Sequence, residues 1–441
     1  MVSRRNFLKK AAVSAAGIGL VSASGYANIL GSNSKINIGL IGLGGRSKAL
    51  VKAIKLSGNC QIAVMCDVDE ERIEFYKGYC KKNIGYVPKV ETDFRRILED
   101  KDIDAIAVVT PEHWHAPMAI MGMQAGKHVY VEKPCSHNLF ENELVVAAQK
   151  KYNKVCQMGN QQRSSKSSAQ AVSDIREGVI GNVYAGKAWY NNKRGSIGKG
   201  KVVTVPSTLN WDLWQGPAPR EEYRHNVHPY NWHWFRTWGT GEIHNNGTHE
   251  IDICRWALGV DYPERVVSAG GRLHYTNDDW EFFDTQMASF DFKGGKTISW
   301  EGHSCNKFGF AGGRGCTIHG TKGTIFLDRS KYELYGANGE KVKTVLEKET
   351  GTSNNTADKS GFDRLTVTHM TNFANAIIKN EKLNSPIHDA AITTHLCHLG
   401  NIAQDTGEAL RIDTNTGKIL DKVINDKYYK REYEKGWEPK L

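Results

Sequence analysis

Short apolar runs alternate with longer, partly polar segments through the first 160 residues. The apolar runs cover residues 36–41, 61–66, 104–109, 128–131 and 155–158. Segments predicted to be helices lie between them, at residues 46–56, 69–82, 115–125 and 139–151. Strands that alternate with helices at this spacing predict a parallel sheet with helices on both faces.

The pattern changes near residue 159, where apolar and polar positions begin to alternate. Such alternation is typical of antiparallel strands with one buried face. It occurs at residues 183–190, 265–275, 285–292, 296–303 and 323–328. Helices are predicted at residues 363–380 and 388–404, and the polar segment at 341–361 predicts a mobile loop.

These patterns divide the 441 residues into two domains and a tail. An α/β domain with a doubly wound parallel sheet is predicted at residues 35–158. An α+β domain with an antiparallel sheet is predicted at residues 159–410. The tail at residues 411–441 is expected to pack back on the body.

The first 27 residues have the organisation of an export signal. Arg4 and Arg5 stand in the run S-R-R-N-F-L-K, residues 11–24 are weakly apolar, and Gly25 and Ala27 are as small as a signal peptidase requires. The run matches the twin-arginine signal at every position. We therefore expect cleavage after Ala27 and export by the twin-arginine (Tat) machinery to the periplasm or otherwise out of the cytoplasm. The alternative is an amphipathic N-terminal helix with two chance arginines.

Charge and cysteine content exclude several classes of protein. The net charge of +10 includes no block of like charges and no basic helix, so a nucleic acid is not an expected partner. Beyond residue 27 no apolar segment has the length that spans a bilayer, which argues against a permanent membrane anchor. The nine cysteines are scattered without a C-x-x-C pair, so neither a disulfide framework nor a zinc knuckle is expected.

A glycine-rich turn joins the first predicted strand to the first predicted helix. Its sequence, GLGGRS at residues 42–47, contains Gly42, Gly44, Gly45 and Arg46. Gly42 and Gly44 allow a sharp turn and close approach to a pyrophosphate, whose charge the free N–H groups of the helix start would bind. The third glycine of the usual fingerprint is replaced by Ser47, which is small enough for close packing of helix on strand. The turn therefore predicts a dinucleotide site.

Asp67 ends the second predicted strand, where an acidic residue can accept hydrogen bonds from the adenosine ribose. A carboxylate at this point repels the extra phosphate of NADP, so NAD is the expected cofactor. NADP stays the less favoured alternative because Arg46 and Arg72 can neutralise a phosphate. The structural alternative for Asp67 is a solvated helix cap.

Three further motifs complete a family resemblance. TPEHWHAP at residues 110–117 and EKP at 132–134 follow predicted strands, and GEIHNNGTHEID lies at 241–252. With the glycine turn, they resemble the family of glucose-fructose oxidoreductase, inositol dehydrogenase and the rhizopine catabolism protein MocA. The resemblance covers residues 35–440. It implies an N-terminal Rossmann domain, a C-terminal domain built on a large open antiparallel sheet, and oxidation or reduction of a sugar or cyclitol hydroxyl.

The resemblance also implies roles for individual residues around the cofactor. Those expected beside it are Thr110, Pro111, His115, Glu132, Lys133 and Arg163, and Arg163 is also a candidate substrate contact. Lys133 is expected beside the nicotinamide, where an ammonium steadies the alkoxide that forms as hydride leaves. Burial or the cofactor ring would lower the pKa of Lys133. The family pairs its subunits across the open sheet, so a homodimer or homotetramer is expected.

His249 is the candidate acid/base residue. The family's usual motif is Asp-x-x-x-His, but here Asn245 stands in the first position. An amide cannot supply a counter-charge, so His249 is expected to be less basic than its family counterpart unless Glu250 or His244 compensates. This departure affects the proton relay and leaves the cofactor prediction unchanged.

Histidines and tryptophans raise two further possibilities. The spacing of His113, His115, His244 and His249 fits no closed zinc site, so no metal is expected. The aromatic segment at residues 206–241 predicts a sugar pocket, with Trp232, Trp234, Trp114 and His244 as candidate substrate contacts. The structural alternative for the tryptophans of that segment is a small apolar core under a long loop.

A requirement for NAD would explain a twin-arginine signal, because that pathway exports proteins that have already folded. NAD is made in the cytoplasm, so the protein would carry it across the membrane already bound, and tightly. The leading hypothesis is a sugar oxidoreductase that passes hydride between carbohydrates or oxidises a glycoside hydroxyl. One alternative is an NAD-dependent glycosidase that works by transient oxidation, elimination and reduction. Another is a non-catalytic sensor of sugar or NAD.

Overall fold

The computed structural model describes residues 35–309, 313–347 and 362–441. The predicted leader at residues 1–27 lies outside the described residues. Within the first domain the strands are β1 Ile36–Ile41, β2 Cys60–Cys66, β3 Lys89–Glu91, β4 Ala105–Val108, β5 His128–Val131 and β6 Cys156–Met158. The helices are α1 Ser47–Leu56, α2 Glu70–Ile84, α3 Phe94–Glu99, α4 His115–Gln124 and α5 Leu139–Tyr152.

All six strands of this sheet are parallel, in the order β3-β2-β1-β4-β5-β6. The order reverses direction at β1, so the sheet is doubly wound and its ligand crevice lies at the carboxyl ends of β1 and β4. Every residue of β4 is buried, because helices cover both faces of the sheet. The parallel sheet is therefore confirmed. Periodicity did not predict β3 and α3, which are too short to show it.

The second domain contains a nine-stranded sheet in the order β14-β13-β12-β11-β7-β10-β9-β8-β15. Its strands are β7 Val183–Asn191, β8 Arg265–Gly271, β9 Thr285–Phe292, β10 Lys296–His303, β11 Arg314–Gly320, β12 Gly323–Leu327, β13 Lys331–Gly336, β14 Lys341–Leu346 and β15 Leu410–Arg411. The predicted large antiparallel sheet is confirmed, and one pair of strands departs from it, because β7 and β10 run parallel. Alternation reports which face of a strand is buried, and it carries no information on the direction of the neighbouring strand.

The predicted loop at residues 341–361 is wrong in its first part. Residues 341–346 form β14, which pairs with β13 at the edge of the sheet. Five of the six residues of β14 are exposed, so the strand lacks the apolar alternation by which strands are recognised. Residues 348–361 lie outside the described residues.

Helices cover one face of the second sheet. The helices of this domain are α6 Lys166–Arg176, α7 Trp211–Gln215, α8 Thr248–Leu258, α9 Arg364–Lys379, α10 Ile387–Thr406 and α11 Lys422–Tyr428. Apolar side chains of α8 and α10 join those of the sheet in one buried core. The other face is open to solvent and carries an ion pair between Lys187 and Glu301, with Met287 52% exposed.

The tail contacts both domains, because Ile412 and Ile419 lie in the core of the second domain and the end of the tail lies against the first. The main-chain N–H of Phe140 donates to the carbonyl of Tyr429 at 2.8 Å, and Trp437 packs edge-on against Trp114 with ring centroids 5.1 Å apart. Over the described parts of the chain, no helix combines the length and the apolar character needed to cross a bilayer.

Candidate active site between the two sheets

The glycine turn lies at the carboxyl end of β1. Gly42 has φ of 91°, and a Cβ added there would lie 2.6 Å from the carbonyl oxygen of Val109. This position therefore requires glycine. A Cβ at Gly44 or Gly45 would meet nothing within 4 Å. The turn thus leaves an open surface at the start of α1, which suits the close approach of a dinucleotide phosphate.

Asp67 holds the glycine turn from the adjacent strand end. Its carboxylate accepts hydrogen bonds from the main-chain N–H groups of Leu43 at 2.6 Å and Asp69 at 3.0 Å. Burial raises the pKa of Asp67 to about 6, although these donors work in the opposite direction. The side chain that caps α2 is Asp69, which accepts from Glu71. Asp67 is thus available at the edge of the turn, where a ribose would lie.

Arg46 is engaged by two carboxylates. Its Nε lies 2.8 Å from Glu132 Oε1, and its Nη1 lies 3.7 Å from Asp363 Oδ2. The Nη2 atom also donates to the hydroxyl of Thr366 at 2.9 Å. Because these acids balance its charge, Arg46 has little left to attract the additional phosphate of NADP. Its contact with the cofactor stays a prediction.

His115 joins the two loops that the sequence singled out. Its Nδ1 lies 2.6 Å from the carbonyl oxygen of Pro134, and its Nε2 lies 2.8 Å from that of Thr110. Burial lowers the pKa of His115, although the two carbonyl oxygens work to raise it. The hydroxyl of Thr110 is buried and has no hydrogen-bond partner among the residues that the structure describes, so it is available to a bound group. Pro111 begins the turn that leads to α4.

Lys133 and Asn245 meet across the boundary between the domains. The Nζ atom of Lys133 donates to the main-chain carbonyl of Asn245 and, at 3.1 Å, to its side-chain oxygen. Burial lowers the pKa of Lys133, while the neighbouring carboxylates of Glu112, Glu132 and Glu242 work to raise it. An ammonium that is held by two oxygens and deprotonates more easily than usual suits the handling of a substrate hydroxyl.

His249 lies in the first turn of α8, directly after a π-helical turn at Ile243–Gly247. It is 2% exposed, and its Nδ1 has no hydrogen-bond partner in the described parts of the chain. Burial, followed by the charge of Lys133, holds the pKa of His249 well below its usual range. The ring is therefore neutral at physiological pH, and the effect of Asn245 on it stays a prediction.

Neither of the two residues considered as compensation hydrogen-bonds to His249 in the described structure. Glu250 is engaged by Arg314, whose Nη2 lies 2.7 Å from Glu250 Oε1. The ring of His244 is fully buried and lies 4.2 Å from the ring of His398. Burial holds the pKa of His244 well below its usual range, so this side chain supplies no charge.

Arg163 lies in an internal ion-pair network. Its Nε donates to Asp252 at 2.6 Å and its Nη2 lies 3.0 Å from Asp389, while the guanidinium stacks over Trp256. These contacts tie the segment after β6 to α8 and α10. The charge of Arg163 is thus used within the protein, and its contact with cofactor or substrate stays a prediction.

The predicted tryptophan contacts fall into two groups. Trp114 lies in the core of the first domain, with its indole N–H donating to the carbonyl of Trp214 at 2.9 Å, so it does not form an open pocket wall. Trp232 stacks on His233 with ring centroids 3.6 Å apart. Trp234 is 2% exposed and stacks on Trp280. Much of the aromatic segment is therefore a small core, as the structural alternative predicts, and Trp232 with His233 offers a half-buried aromatic surface.

Sequence patterns did not identify four polar residues of this region. Glu112 and His233 interact with the charge of Lys133, and burial lowers the pKa of His233 to about 3. Arg194 lies over the ring of Trp234 and pairs with Glu242 at 2.6 Å. Glu112 lies inside the motif at residues 110–117, so the sequence indicates its position in the site but not its burial. The described residues include no group of three or more His, Cys, Asp or Glu side chains placed to hold a metal ion.

Family comparison agrees with this geometry. Residues 36–160 match the model of an oxidoreductase family with an NAD-binding Rossmann fold, and residues 193–404 match that family's C-terminal alpha/beta domain. The chain belongs to the Gfo/Idh/MocA family of NAD-binding oxidoreductases. The open glycine turn, the available Asp67 carboxylate and the unpartnered Thr110 hydroxyl all fit an NAD cofactor of this family member.

Individual relatives match at low identity. A glycosyl hydrolase family 109 protein of Shewanella pealeana is 29% identical over 209 residues, which are 43% of this chain and 46% of the relative. A glycosyl hydrolase family 109 protein of Solibacter usitatus is 27% identical over 206 residues, which are 44% of this chain and 47% of the relative. The match thus spans less than half the length of these relatives. Levoglucosan dehydrogenase in complex with NADH and levoglucosan superposes with a TM-score of 0.67 at 19% identity, covering 86% of this chain and 99% of that one. Aldose-aldose oxidoreductase from Caulobacter crescentus superposes with a TM-score of 0.64 at 16% identity, covering 86% and 100%.

Proposed function

We propose that the protein is an NAD-dependent oxidoreductase that transfers hydride between its cofactor and a hydroxyl-bearing carbon of a sugar, glycoside or cyclitol. The observation that carries this proposal is the contact of Lys133 with Asn245, at the carboxyl end of the parallel sheet. That contact lies where the dinucleotide turn and the second sheet converge. NAD, when bound, supplies the hydride acceptor or donor.

The protein's own residues would bind the sugar oxygen and move its proton. Lys133 would contact the reacting oxygen, steady the alkoxide as ammonium, and accept its proton in the amine form that burial favours. Asn245 orients Lys133 through two acceptor oxygens. His249, neutral at pH 7, offers its unpartnered Nδ1 as a hydrogen-bonding group that orients the substrate.

The aromatic surface supports a carbohydrate as substrate. Trp232 and His233 form a stacked, half-buried pair, and Tyr230, 51% exposed, lies 4.7 Å from the His233 ring. Flat rings with single polar atoms suit the C–H faces and hydroxyl rims of a sugar. The solved structures that share this fold include a dehydrogenase with levoglucosan bound, which supports the same class.

The second candidate function is a redox-neutral glycosidase, and the two glycosyl hydrolase family 109 relatives favour it. In this reaction the oxidised sugar loses a proton next to its carbonyl, eliminates the leaving group and adds water. Hydride then returns, so the cofactor ends as it began. The residues around Lys133 serve both reactions, because both start with the same oxidation.

Analysis of cofactor and products tests the proposal. The protein is purified without added cofactor and denatured, and the released dinucleotide is identified by mass. The native protein is then incubated with free sugars and glycosides. We expect NAD or NADH and keto-sugars; a released alcohol with the sugar's oxidation level unchanged would select the glycosidase. Bound NAD with no product from any sugar would select a sensor.

Two further proposals concern the protein in its cell. We propose export by the Tat machinery to the periplasm or beyond with NAD already bound, supported by the S-R-R-N-F-L-K run. Replacing Arg4 and Arg5 by lysine should leave uncleaved protein in the cytoplasm.

We also propose pairing of subunits across the open face that carries Met287. Met287→Asp should then shift the mass measured by light scattering toward the monomer.

A further inference from the structure

Glu112 is buried where the two domains meet. It is 2% exposed, and its Oε2 accepts the hydroxyl hydrogen of Thr240 at 2.5 Å. Glu112 belongs to the loop after β4, whereas Thr240 belongs to the aromatic segment of the second domain. The carboxyl group is therefore isolated from bulk water and connected to one hydroxyl.

The charged groups that act on Glu112 are Lys133 and Glu242. Burial raises the pKa of Glu112 to about 7, even though Lys133 and Thr240 work to lower it. By contrast, the pairing of Glu242 with Arg194 keeps its pKa below the usual value in spite of burial. Asn245 does not titrate, and His249 stays neutral. Of these groups, Glu112 is the one that takes up and releases a proton near neutral pH.

Thr240 also lines a cavity. Its volume is about 210 Å³, and its lining includes His137, Thr240, Asn401 and Arg431. At roughly 30 Å³ per molecule, such a space has room for several waters. The buried Nη1 of Arg431 has no hydrogen-bond partner in the described structure and is a donor for such a water. Thr240 thus contacts the Glu112 carboxyl group and also lines a space large enough for water.

Oxidation of an alcohol releases one proton that must leave this enclosed site. The C–H bond breaks and its electron pair leaves as hydride to NAD⁺, while the O–H bond gives a proton and the carbonyl forms. We propose that Glu112 relays this proton from Lys133, through the Thr240 hydroxyl, to water in the cavity. This inference rests on the proposed function and adds a proton-relay residue to it.

Each transfer conserves charge and atoms. The neutral amine of Lys133 takes the hydroxyl proton and becomes ammonium. The Lys133 side chain turns from Asn245 toward Glu112 and its ammonium gives a proton to the carboxylate, so both groups become neutral. The hydroxyl of Thr240 accepts the proton from Glu112 while it donates its own to cavity water, which resets the site. Reduction of a carbonyl runs the same path in reverse.

Three variants separate the relay from a packing role. Glu112→Gln keeps the shape and an acceptor for Thr240 but cannot hold an exchangeable acidic proton. Thr240→Val keeps the shape and removes the hydroxyl. Thr237→Val is the matched control, because Thr237 also donates its hydroxyl hydrogen to a carboxylate, that of Glu221 at 2.5 Å. Thermal unfolding of each variant first establishes that the fold is retained.

Infrared titration of the purified proteins tests the relay without any substrate. We expect a protonated-carboxyl band with a midpoint near pH 7 in the natural protein and in Thr237→Val, absent from Glu112→Gln. In Thr240→Val the midpoint should rise, because the carboxylate loses a hydrogen-bond donor. The proposal is overturned if Glu112 stays ionised down to about pH 5. It is also overturned if the midpoint of the Glu112 titration is the same in Thr240→Val as in the natural protein.

Stopped-flow measurement with a pH-indicator dye then follows proton release beside NADH formation, using a sugar found to be a substrate. In the natural protein and in Thr237→Val, proton release and NADH formation should have the same rate. In Glu112→Gln proton release should slow by about 100-fold, and Thr240→Val should slow it also. Unchanged release in Glu112→Gln overturns the relay. If no sugar reduces the cofactor in the natural protein, the proposed function fails; if a sugar does reduce it and Glu112→Gln releases the proton at the natural rate, the relay alone fails.

Discussion

Lys133 donates hydrogen bonds to both oxygens of Asn245, one of the main chain and one of the side chain. The lysine follows a strand of the parallel sheet, and the asparagine lies in the π-helical turn before α8. A single side chain therefore links the NAD-binding domain to the domain of the nine-stranded sheet. This contact is the basis of the first two predictions.

Replacing Lys133 should abolish most of the activity while leaving the cofactor bound. Lys133→Met retains length but removes the charge and the proton, so kcat should fall by about 10²–10⁴-fold. Lys133→Arg retains a charge whose pKa is too high for proton transfer, so it should rescue little. Steady-state kinetics and the NAD content of the purified variants check both points. Retained activity in Lys133→Met would remove Lys133 from the mechanism.

Asn245→Asp should shift the pH dependence of the reaction. A carboxylate against the Nζ of Lys133 stabilises the ammonium, so the pKa of Lys133 should rise toward its ordinary value of 10.5. The amine form then requires a higher pH, and oxidation of the alcohol should reach its maximum rate at higher pH than in the natural protein. The pH profile of kcat measures this shift. A shift to lower pH, or none, would show that Lys133 does not accept the proton.

The glycine turn offers a matched pair of substitutions. Gly42→Ala places a methyl group against the carbonyl of Val109 at a positive φ, so it should lower stability by more than about 1 kcal/mol. Gly44→Ala meets no atom, so the free energy of unfolding should change by less than about 0.5 kcal/mol. Gly44→Ala should still weaken NAD binding, because its methyl group occupies the surface that faces the phosphates. Thermal melts with and without NAD separate the two effects.

Asp67 should make NAD affinity depend on pH. Its pKa in the folded protein is about 6, above the ordinary 3.8, because burial disfavours the charge. As pH falls through 6 the carboxylate becomes protonated, so NAD affinity should fall, while this group's penalty on the stability of the cofactor-free protein is relieved. Titration calorimetry between about pH 5 and about pH 8 measures the affinity. Asp67→Asn is the control and should remove the dependence.

Replacing Arg163 should lower the free energy of unfolding, because its charge is used in a buried ion pair. Arg163→Met leaves the buried Asp252 carboxylate without its bidentate partner, which typically costs about 3–5 kcal/mol. The double variant Arg163→Met/Asp252→Leu should recover part of that loss of stability, because Asp252 then no longer leaves an unpaired charge buried. Chemical denaturation of both variants measures the difference. Equal stability of Arg163→Met and the natural protein would contradict a structural role for this ion pair.

The sequence predicted those features that depend on local order. Strand and helix periodicities located the parallel sheet, because each strand is buried and each helix has its own repeat. Gly42 could be identified because a positive φ and a close backbone approach leave few choices of residue. The effect of Asn245 on His249 stays a prediction, because the low pKa of His249 is due first to burial.

Tertiary structure decided the features that depend on distant neighbours. Trp114 and Trp232 are the same residue type in similar surroundings of the sequence, yet one lies in a core and the other is half-buried beside His233. The parallel pairing of β7 and β10 depends on which strands meet, not on the alternation within either. Glu112 shows the reason most directly. The sequence shows its residue type and its loop, but its raised pKa comes from burial, which arises only when the chain folds.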